Sequence, residues 1–160
     1  MGSEAEPMTP AGHAALKEKL KYYKEEEMPR ISREIGKARE LGDLSENAEY
    51  HAAKDKQGIL AAQIRDMEDR LARAEVIDPA RLSGKKVIFS ATVTLENLDT
   101  GDSDKIQIVG EHEADSKNGK ISYRSPLARG IIGKEEGDEV VVKTPRGSKE
   151  YEVVKVEYLT

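Results

Sequence analysis

The nine residues GDLSENAEY (42–50) place acidic side chains where the chain is expected to reverse direction. Asp43 and Glu46 stand three residues apart, and no Lys or Arg occurs between Glu40 and Glu49. Two carboxylates on adjacent turns can share a hard divalent cation such as Mg²⁺, which usually keeps its waters and takes one or two carboxylates. Because such a pair binds the ion weakly by itself, further oxygen ligands would have to come from a partner.

The same residues also match a helix cap. Asp43 is a good N-cap, and Glu46 stands three residues on, where a capping box places Glu or Gln. Gly42 suits the end of the preceding helix. The local pattern therefore leaves two interpretations open, a helix cap and a metal-assisting acid pair.

Two long helical segments must position this acidic stretch. Residues 9–77 are predicted to be helical, with Thr9 as N-cap and Pro10 at the first helical position. The second segment carries a heptad seam, formed by Tyr50, Ala53, Gln57, Leu60, Ile64, Met67, Leu71 and Ala74. The first segment offers a matching seam, formed by Leu16, Leu20, Tyr23, Met28, Ile31, Ile35 and Ala38.

Antiparallel pairing of the two seams predicts a helical hairpin. The paired residue numbers, beginning with Leu16 and Leu71, sum to 87 as far as Tyr23 and to 88 from Met28, next to Pro29, onward. A proline inside a helix removes a hydrogen bond, so we expect a local adjustment of the helical register there. The pairing places the tip at Asp43 and Leu44, and the arm is about 40 Å long at 1.5 Å per residue.

From residue 85 the hydrophobic period changes to two. Five runs rich in Val, Ile and Tyr are strand-like, namely KKVIFSATVTLEN, DKIQIVG, GKISYRS, DEVVVKT and KEYEVVKVEYL. PLARGIIG predicts a short helix between strands. The expected fold class is α+β, with a flexible leader at 1–8, an antiparallel two-helix coiled coil at 9–77, a linker at 78–84 and a small antiparallel β domain at 85–160.

Composition excludes several classes of protein. The chain has 160 residues and no Cys, so it has no thiolate metal site and no cysteine nucleophile. Its three His residues lie far apart in sequence, which argues against a histidine zinc site. The net charge of −5 argues against tight binding of free nucleic acid. No apolar run approaches the ~20 residues that span a membrane, and no signal peptide precedes the helix, so we expect a cytoplasmic location.

The segment ARELGDLSENAEYHAAKDKQG resembles the coiled-coil tip of the bacterial Gre transcript cleavage factors, the GreA branch more than the GreB branch. The resemblance continues in ATVTLENLD, in ISYRSPLARGIIGKEEGDEVVVKTPRG and in YEVVKVEYL, and it extends from about Met8 to the end. An Asp-x-x-Glu pair alone has no value as a signature. Within this longer framework the tip motif is highly specific.

The resemblance implies a function carried out with a partner. It implies that the β domain has an FKBP-like fold and that the protein binds RNA polymerase at the mouth of its secondary channel. The coiled coil would enter the channel, where Asp43 and Glu46 help the polymerase hold a second Mg²⁺ and orient a water for hydrolysis of the backtracked RNA 3′ end. By this interpretation the protein is a cofactor of the polymerase's own endonuclease activity rather than an enzyme, and it acts as a monomer.

The same resemblance implies roles for further residues. Ser45, Asn47 and Tyr50 are expected to support the tip, although Tyr50 also belongs to the seam. Extruded RNA is expected to meet basic side chains beside the tip, namely Lys37, Arg39, Lys54 and Lys56, although exposed helical charges are usually only solvated or paired. The polymerase rim, a coiled coil of its largest subunit, is expected to contact Ser125, Pro126 and Leu127. Ser125 and Pro126 also fit the start of the short helix.

Two rival functions follow from the same fold. A prolyl isomerase binds proline among several aromatic side chains, but residues 85–160 offer only Phe89, Tyr123, Tyr151 and Tyr158 and no Trp. A second rival enters the channel without cleaving and inhibits the polymerase. Such a protein should lack the acid pair or carry a rearranged tip, so the spacing of the acids in residues 42–50 favours cleavage.

Overall fold

The structure is a computed structural model that describes residues 4–43 and 46–159. Its described residues form two compact units. The first contains residue 4 and the stretch 13–74, and the second contains residues 5–12 and 75–159. Within the described ranges, no helix has the length and apolar character needed to cross a lipid bilayer.

The first unit is the predicted helical hairpin. Its helices are α1 (Pro10–Tyr22) from residue 13 onward, α2 (Met28–Arg39) and α3 (Ala48–Ala72), with a π-helix, Tyr23–Glu27, between the first two. Eight seam residues form one hydrophobic cluster, in which Ile31, Ile35, Ala53 and Leu60 are buried and Tyr23, Met28, Tyr50 and Ile64 pack against them. The period of the apolar residues therefore predicted the contact face of both helices.

The π-helix explains the one-residue step in the seam. The Met28 N–H donates to the Tyr23 carbonyl, five residues back, at the end of the Tyr23–Glu27 segment. A π-turn widens the helix and inserts one residue relative to an α-helix. The segment ends beside Pro29, which has no N–H for an α-helical bond. The predicted adjustment of register is thus confirmed, and it takes the form of a π-turn.

The second unit is built on a five-stranded sheet. Its strands are β3 (Thr92–Asn97), β4 (Ser103–Val109), β5 (Lys120–Ser122), β6 (Glu139–Thr144) and β7 (Gly147–Glu157). The strand order is β5-β4-β3-β7-β6, and every pair is antiparallel except β4 with β5. The short helix α4 (Pro126–Ile131) packs against β6. All five predicted strands and the predicted helix are present.

One face of this sheet forms the core of the unit. Its fully buried members include Val93, Leu95, Ile108 and Val153, and Ile131 of α4 closes the same cluster. Alternate residues of a strand point to opposite faces, so each strand contributes its apolar set to one side. The first strand of this sheet begins at Thr92, and in the 85–91 segment before it Lys86 forms an isolated bridge with Glu135.

The N-terminal segment and the end of the hairpin depart from expectation. Residues 1–8 were expected to be a flexible leader, but β1 (Glu6–Met8) pairs with β2 (Ala74–Val76). Met8 is fully buried, and its carbonyl accepts from the Ile77 N–H at 2.8 Å. The helix expected to reach residue 77 therefore ends at Ala72, because the following residues use their backbone groups in strand pairing.

Ser90 adopts a strained conformation in the turn before β3. Its φ of +72° lies in the left-handed region, its side chain is fully buried, and its hydroxyl has no hydrogen-bond partner among the described residues. A non-glycine residue in this region costs about 1–2 kcal/mol, and an unsatisfied buried hydroxyl costs about 1–3 kcal/mol. A glycine at position 90 would avoid both costs, because it has neither a Cβ nor a hydroxyl.

We expect Ser90→Gly to stabilise the protein by about 1–2 kcal/mol, after allowance for the extra chain entropy of glycine. Ser90→Ala removes the hydroxyl but keeps Cβ, so it should gain only part of this stability. Urea unfolding of the three proteins measures both steps. A destabilised Ser90→Gly variant would show that the hydroxyl is satisfied in solution.

Candidate functional site

The acidic tip lies in the turn between α2 and α3. After α2 ends at Arg39, three successive N–H groups bond three residues back, the last from Gly42 to the Arg39 carbonyl at 3.4 Å. Gly42 has a φ of +114°, which an L side chain rarely adopts. The prediction that Gly42 ends the first arm is confirmed.

The cap of α3 is Asn47 and not Asp43. The Asn47 Oδ1 accepts from the Tyr50 N–H at 3.0 Å, and its Nδ2 donates to the Ala38 carbonyl at 2.6 Å. One amide side chain thus closes the start of α3 and joins it to the end of α2. A carboxylate could make the first bond but has no N–H for the second, so the hairpin favours Asn at the cap.

This cap changes the interpretation of the acid pair. Asp43 and Glu46 both precede Asn47, so the expected capping box of α3 is wrong. Both acids are exposed to solvent. The N-cap of α3 is therefore supplied by Asn47, and neither carboxylate supplies it.

The donor set fits partial ligation of a hard cation. The tip offers carboxylate oxygens, which Mg²⁺ prefers, and exposure leaves room for waters on the ion. Among the residues that the structure describes, no three His, Cys, Asp or Glu side chains gather closely enough to hold a metal ion.

The other predicted tip residues have distinct positions. Leu44 and Ser45 lie outside the described residues. Tyr50 is half-buried in the seam cluster, and its ring meets the His51 ring at 5.5 Å in an edge arrangement. Tyr50 thus packs between the helices, and the Asn47 side chain is placed at the base of the acidic turn.

We expect Asn47→Ala to destabilise the hairpin by about 1–2 kcal/mol, the usual cost of a lost N-cap. Asn47→Asp keeps an acceptor for the Tyr50 N–H but loses the donor to the Ala38 carbonyl. It should therefore fall between the wild type and the alanine variant. Urea unfolding followed by helical circular dichroism measures the order. If Asn47→Asp equals the wild type, the bond to Ala38 contributes nothing.

The basic residues beside the tip are exposed on both helices. Lys56 forms an ion pair with Glu34 at 3.6 Å, and Lys54 donates to Gln57 at 3.2 Å. Lys37 lines a shallow cavity of about 320 Å³ between α2 and α3, to which Lys56 also contributes. Arg39 occupies the last residue of α2 and is exposed. Exposed pairs of this kind hold their partners weakly, so all four cations remain accessible to phosphate.

The predicted docking residues lie at the start of α4 in the second unit. Ser125 is its N-cap, and its hydroxyl accepts from the Ala128 N–H at 3.2 Å. Pro126 occupies the first helical position and is exposed, whereas Leu127 packs partly against the core. The helix-start role of Ser125 and Pro126 is therefore present, and their expected contact with a partner stays a prediction.

Sequence patterns did not point to Glu113, which holds the start of α1 within the second unit. Its carboxylate accepts from the Thr9 N–H at 3.1 Å, from the Thr9 hydroxyl and from the Gly110 N–H at 3.0 Å. Thr9 in turn caps the Gly12 N–H at 3.0 Å, as predicted. Gly110 and Glu113 have the spacing of a capping box, the one local signal that was available.

The architecture defines a class of protein, a helical hairpin with a solvent-exposed acidic turn followed by a small sheet unit. Models of two Gre domains match this chain, "Transcription elongation factor, N-terminal" over residues 6–76 and "Transcription elongation factor, GreA/GreB, C-term" over residues 82–158. The chain belongs to the GreA/GreB family of transcription elongation factors.

Individual relatives are similar over almost the whole chain. The transcription elongation factor GreA of Psychrobacter sp. (strain PRwf-1) is 56% identical over 95% of this chain and 97% of its own. GreA of Hyphomonas neptunium is 57% identical, with the same coverage of both chains. Among solved structures, the GreA factor homolog 1 protein of Thermus thermophilus is 27% identical, with a TM-score of 0.44 over 96% of this chain and 99% of that one.

Proposed function

We propose that this protein is a transcription elongation factor that stimulates cleavage of backtracked nascent RNA by bacterial RNA polymerase. The observation that carries the proposal is the pair Asp43 and Glu46, exposed in the turn of the helical hairpin and not used to cap α3. The membership of this chain in the GreA/GreB family supports the assignment to transcription elongation.

The hairpin suits delivery of this pair to a distant point. An arm of about 40 Å with a thin apolar seam can enter a narrow channel, such as the secondary channel of the polymerase. The polymerase would hold one ion tightly and a second ion weakly. At the tip, Asp43 and Glu46 would supply the oxygen ligands that the second ion lacks. The bound Mg²⁺ would supply Lewis-acid assistance to hydrolysis of the RNA phosphodiester bond.

The chain's other residues would hold this pair and its substrate. Asn47 fixes the turn on which the acids lie, through its bonds to the Ala38 carbonyl and the Tyr50 N–H. Exposed cations beside the tip would attract the phosphates of the extruded RNA 3′ end; these are Lys37, Arg39, Lys54 and Lys56. Because the acids would complete a site that belongs to the polymerase, the protein is a cofactor of that endonuclease, and it acts in the cytoplasm.

The sheet unit would dock the protein on the polymerase. At the start of α4 Pro126 is exposed, Ser125 is half-buried, and Leu127 packs partly against the core. The rim coiled coil of the largest polymerase subunit is the proposed partner of this patch. One copy on each polymerase suffices, since one arm fills one channel.

The direct test is a cleavage assay on a stalled, backtracked polymerase that carries 3′-labelled RNA. We expect the protein to release short labelled fragments in the presence of Mg²⁺ and to restore elongation. Polymerase without the protein provides the background rate. If the protein binds and slows nucleotide addition without releasing fragments, it is a channel inhibitor and the proposal is wrong.

A further inference from the structure

The sheet of the second unit has two unlike edges. β5 is only three residues long, and Asp115 bridges to its Lys120. β6 has six residues, pairs with β7 without any shift in register, and carries no partner strand on its other side among the described residues. A regular, unpaired edge strand is a template for the addition of another strand.

The backbone groups of β6 can be assigned to its two sides. The Asp138 carbonyl, just before the strand, accepts from the Val153 N–H of β7 at 2.8 Å. Residues of an antiparallel pair alternate between groups that face the partner and groups that face away. Even-numbered residues therefore face β7, while Glu139, Val141 and Lys143 direct their N–H and C=O groups toward the free edge.

These three residues are complementary to themselves. If a second copy pairs antiparallel with Val141 opposite its own counterpart, Glu139 of each chain lies opposite Lys143 of the other. This register forms two opposite-charge pairs and uses every outward backbone group of the three residues. No other strand sequence is needed to satisfy the charges.

Val141, the residue at the centre of this register, has an apolar side chain that is exposed to solvent. Val141 is 58% exposed, and it shares the outer face of the sheet with Glu139 and Lys143 because all three lie two residues apart. Two such valines in contact across a two-fold axis would each lose solvent-exposed area. Cβ atoms of directly opposite residues lie about 4.5–5.5 Å apart, so the two valine side chains can bury apolar area against each other.

We propose that β6 is a docking edge for a second copy of this chain, which joins two five-stranded sheets into one continuous sheet across a two-fold axis. One pair of short strands buries much less than the roughly 1,200–2,000 Å² of a stable interface. The free protein therefore forms a weak, reversible dimer. This inference concerns the second unit and does not depend on cleavage of RNA.

The test is charge reversal at the two ends of the register. Glu139→Lys places Lys opposite Lys, and Lys143→Glu places Glu opposite Glu. Either single variant should weaken the self-association measured by sedimentation equilibrium at least about tenfold. The double variant restores opposite charges and should associate like the wild type, as should an equimolar mixture of the two single variants. Glu111→Lys is the matched control, because it makes the same charge change at an exposed residue away from β6.

Amide hydrogen exchange gives a second readout that does not depend on charge. Raising the concentration of wild-type protein should slow exchange of the Glu139, Val141 and Lys143 amides, while the Val140 and Val142 amides, already bonded to β7, should not change. The proposal is overturned if the protein stays monomeric up to millimolar concentration. It is also overturned if both single variants associate as the wild type does, because the dimer would then use another surface.

Discussion

Exchanging both tip acids for amides, Asp43→Asn with Glu46→Gln, is expected to abolish stimulated RNA cleavage while the protein still folds and binds polymerase. Charge stabilisation by a metal is worth several kcal/mol, so the rate of stimulated cleavage should fall by at least about 100-fold. The assay is release of 3′-labelled fragments from a backtracked complex, at protein concentrations that give equal occupancy.

The structure sharpens this prediction, because Asn47 caps α3 and the two acids do not. Both acids are exposed, and substitutions of exposed residues usually change stability by no more than about 0.5 kcal/mol. The matched control is Glu40→Gln with Glu49→Gln, which removes the same charge from exposed residues on either side of the turn. This control should keep cleavage within a few-fold of the wild type.

Two results would contradict the assignment. If the amide variant no longer binds polymerase, the acids belong to the docking surface. If the control pair loses as much cleavage as Asp43 and Glu46 do, the tip acts through its total negative charge and no particular carboxylate assists the ion.

Local patterns predicted the parts of the fold that local physics decides. The helical period identified every residue of the hairpin cluster, and the residue sums located the inserted residue next to Pro29. The period of two identified the five strands. In each case the side chains repeat along the chain with the geometry of one element, so neighbouring residues carry the information.

The missed features depend on contacts between distant residues. β1, which contains Met8, pairs with β2, and nearly the whole hairpin lies between the two strands in sequence. No alternation of apolar and polar residues in 1–8 predicts a strand. The choice of Asn47 over Asp43 as cap depends on the Ala38 carbonyl of the other helix. Both residue types are good N-caps, so the sequence around the turn could not decide between them.

The largest effect on stability is expected at Glu113. Glu113→Ala removes the acceptor of three hydrogen bonds and leaves the Thr9 N–H, in a residue only 5% exposed, without a partner. Hydrogen bonds to a charged group are worth about 1.5–3 kcal/mol each, but bonds to one carboxylate are not additive. We therefore expect a loss of about 2–4 kcal/mol in the free energy of unfolding. Glu111→Ala, in the same turn and exposed, is the control and should change little.

A substitution at Gly12 provides a second test of the position of the Glu113 side chain. A Cβ built on Gly12 would lie 2.0 Å from the Glu113 Cδ and 2.5 Å from its Cγ, well inside van der Waals contact. Gly12→Ala must therefore push the Glu113 side chain away and break its bonds to Thr9. Although alanine favours a helix by about 1 kcal/mol over glycine, the single variant should be less stable than the wild type.

The double variant, Gly12→Ala with Glu113→Ala, distinguishes a direct contact between Gly12 and Glu113 from a general loss of packing. Once Glu113 is alanine, the space beside Gly12 is open, and Gly12→Ala should cost nothing or add stability through its helix propensity. Urea unfolding of the four proteins should thus give a coupling free energy of about 2 kcal/mol, within the range known for residues in contact. If the two losses in the free energy of unfolding are additive, the direct contact is contradicted, because Gly12 and Glu113 would then stabilise the unit separately.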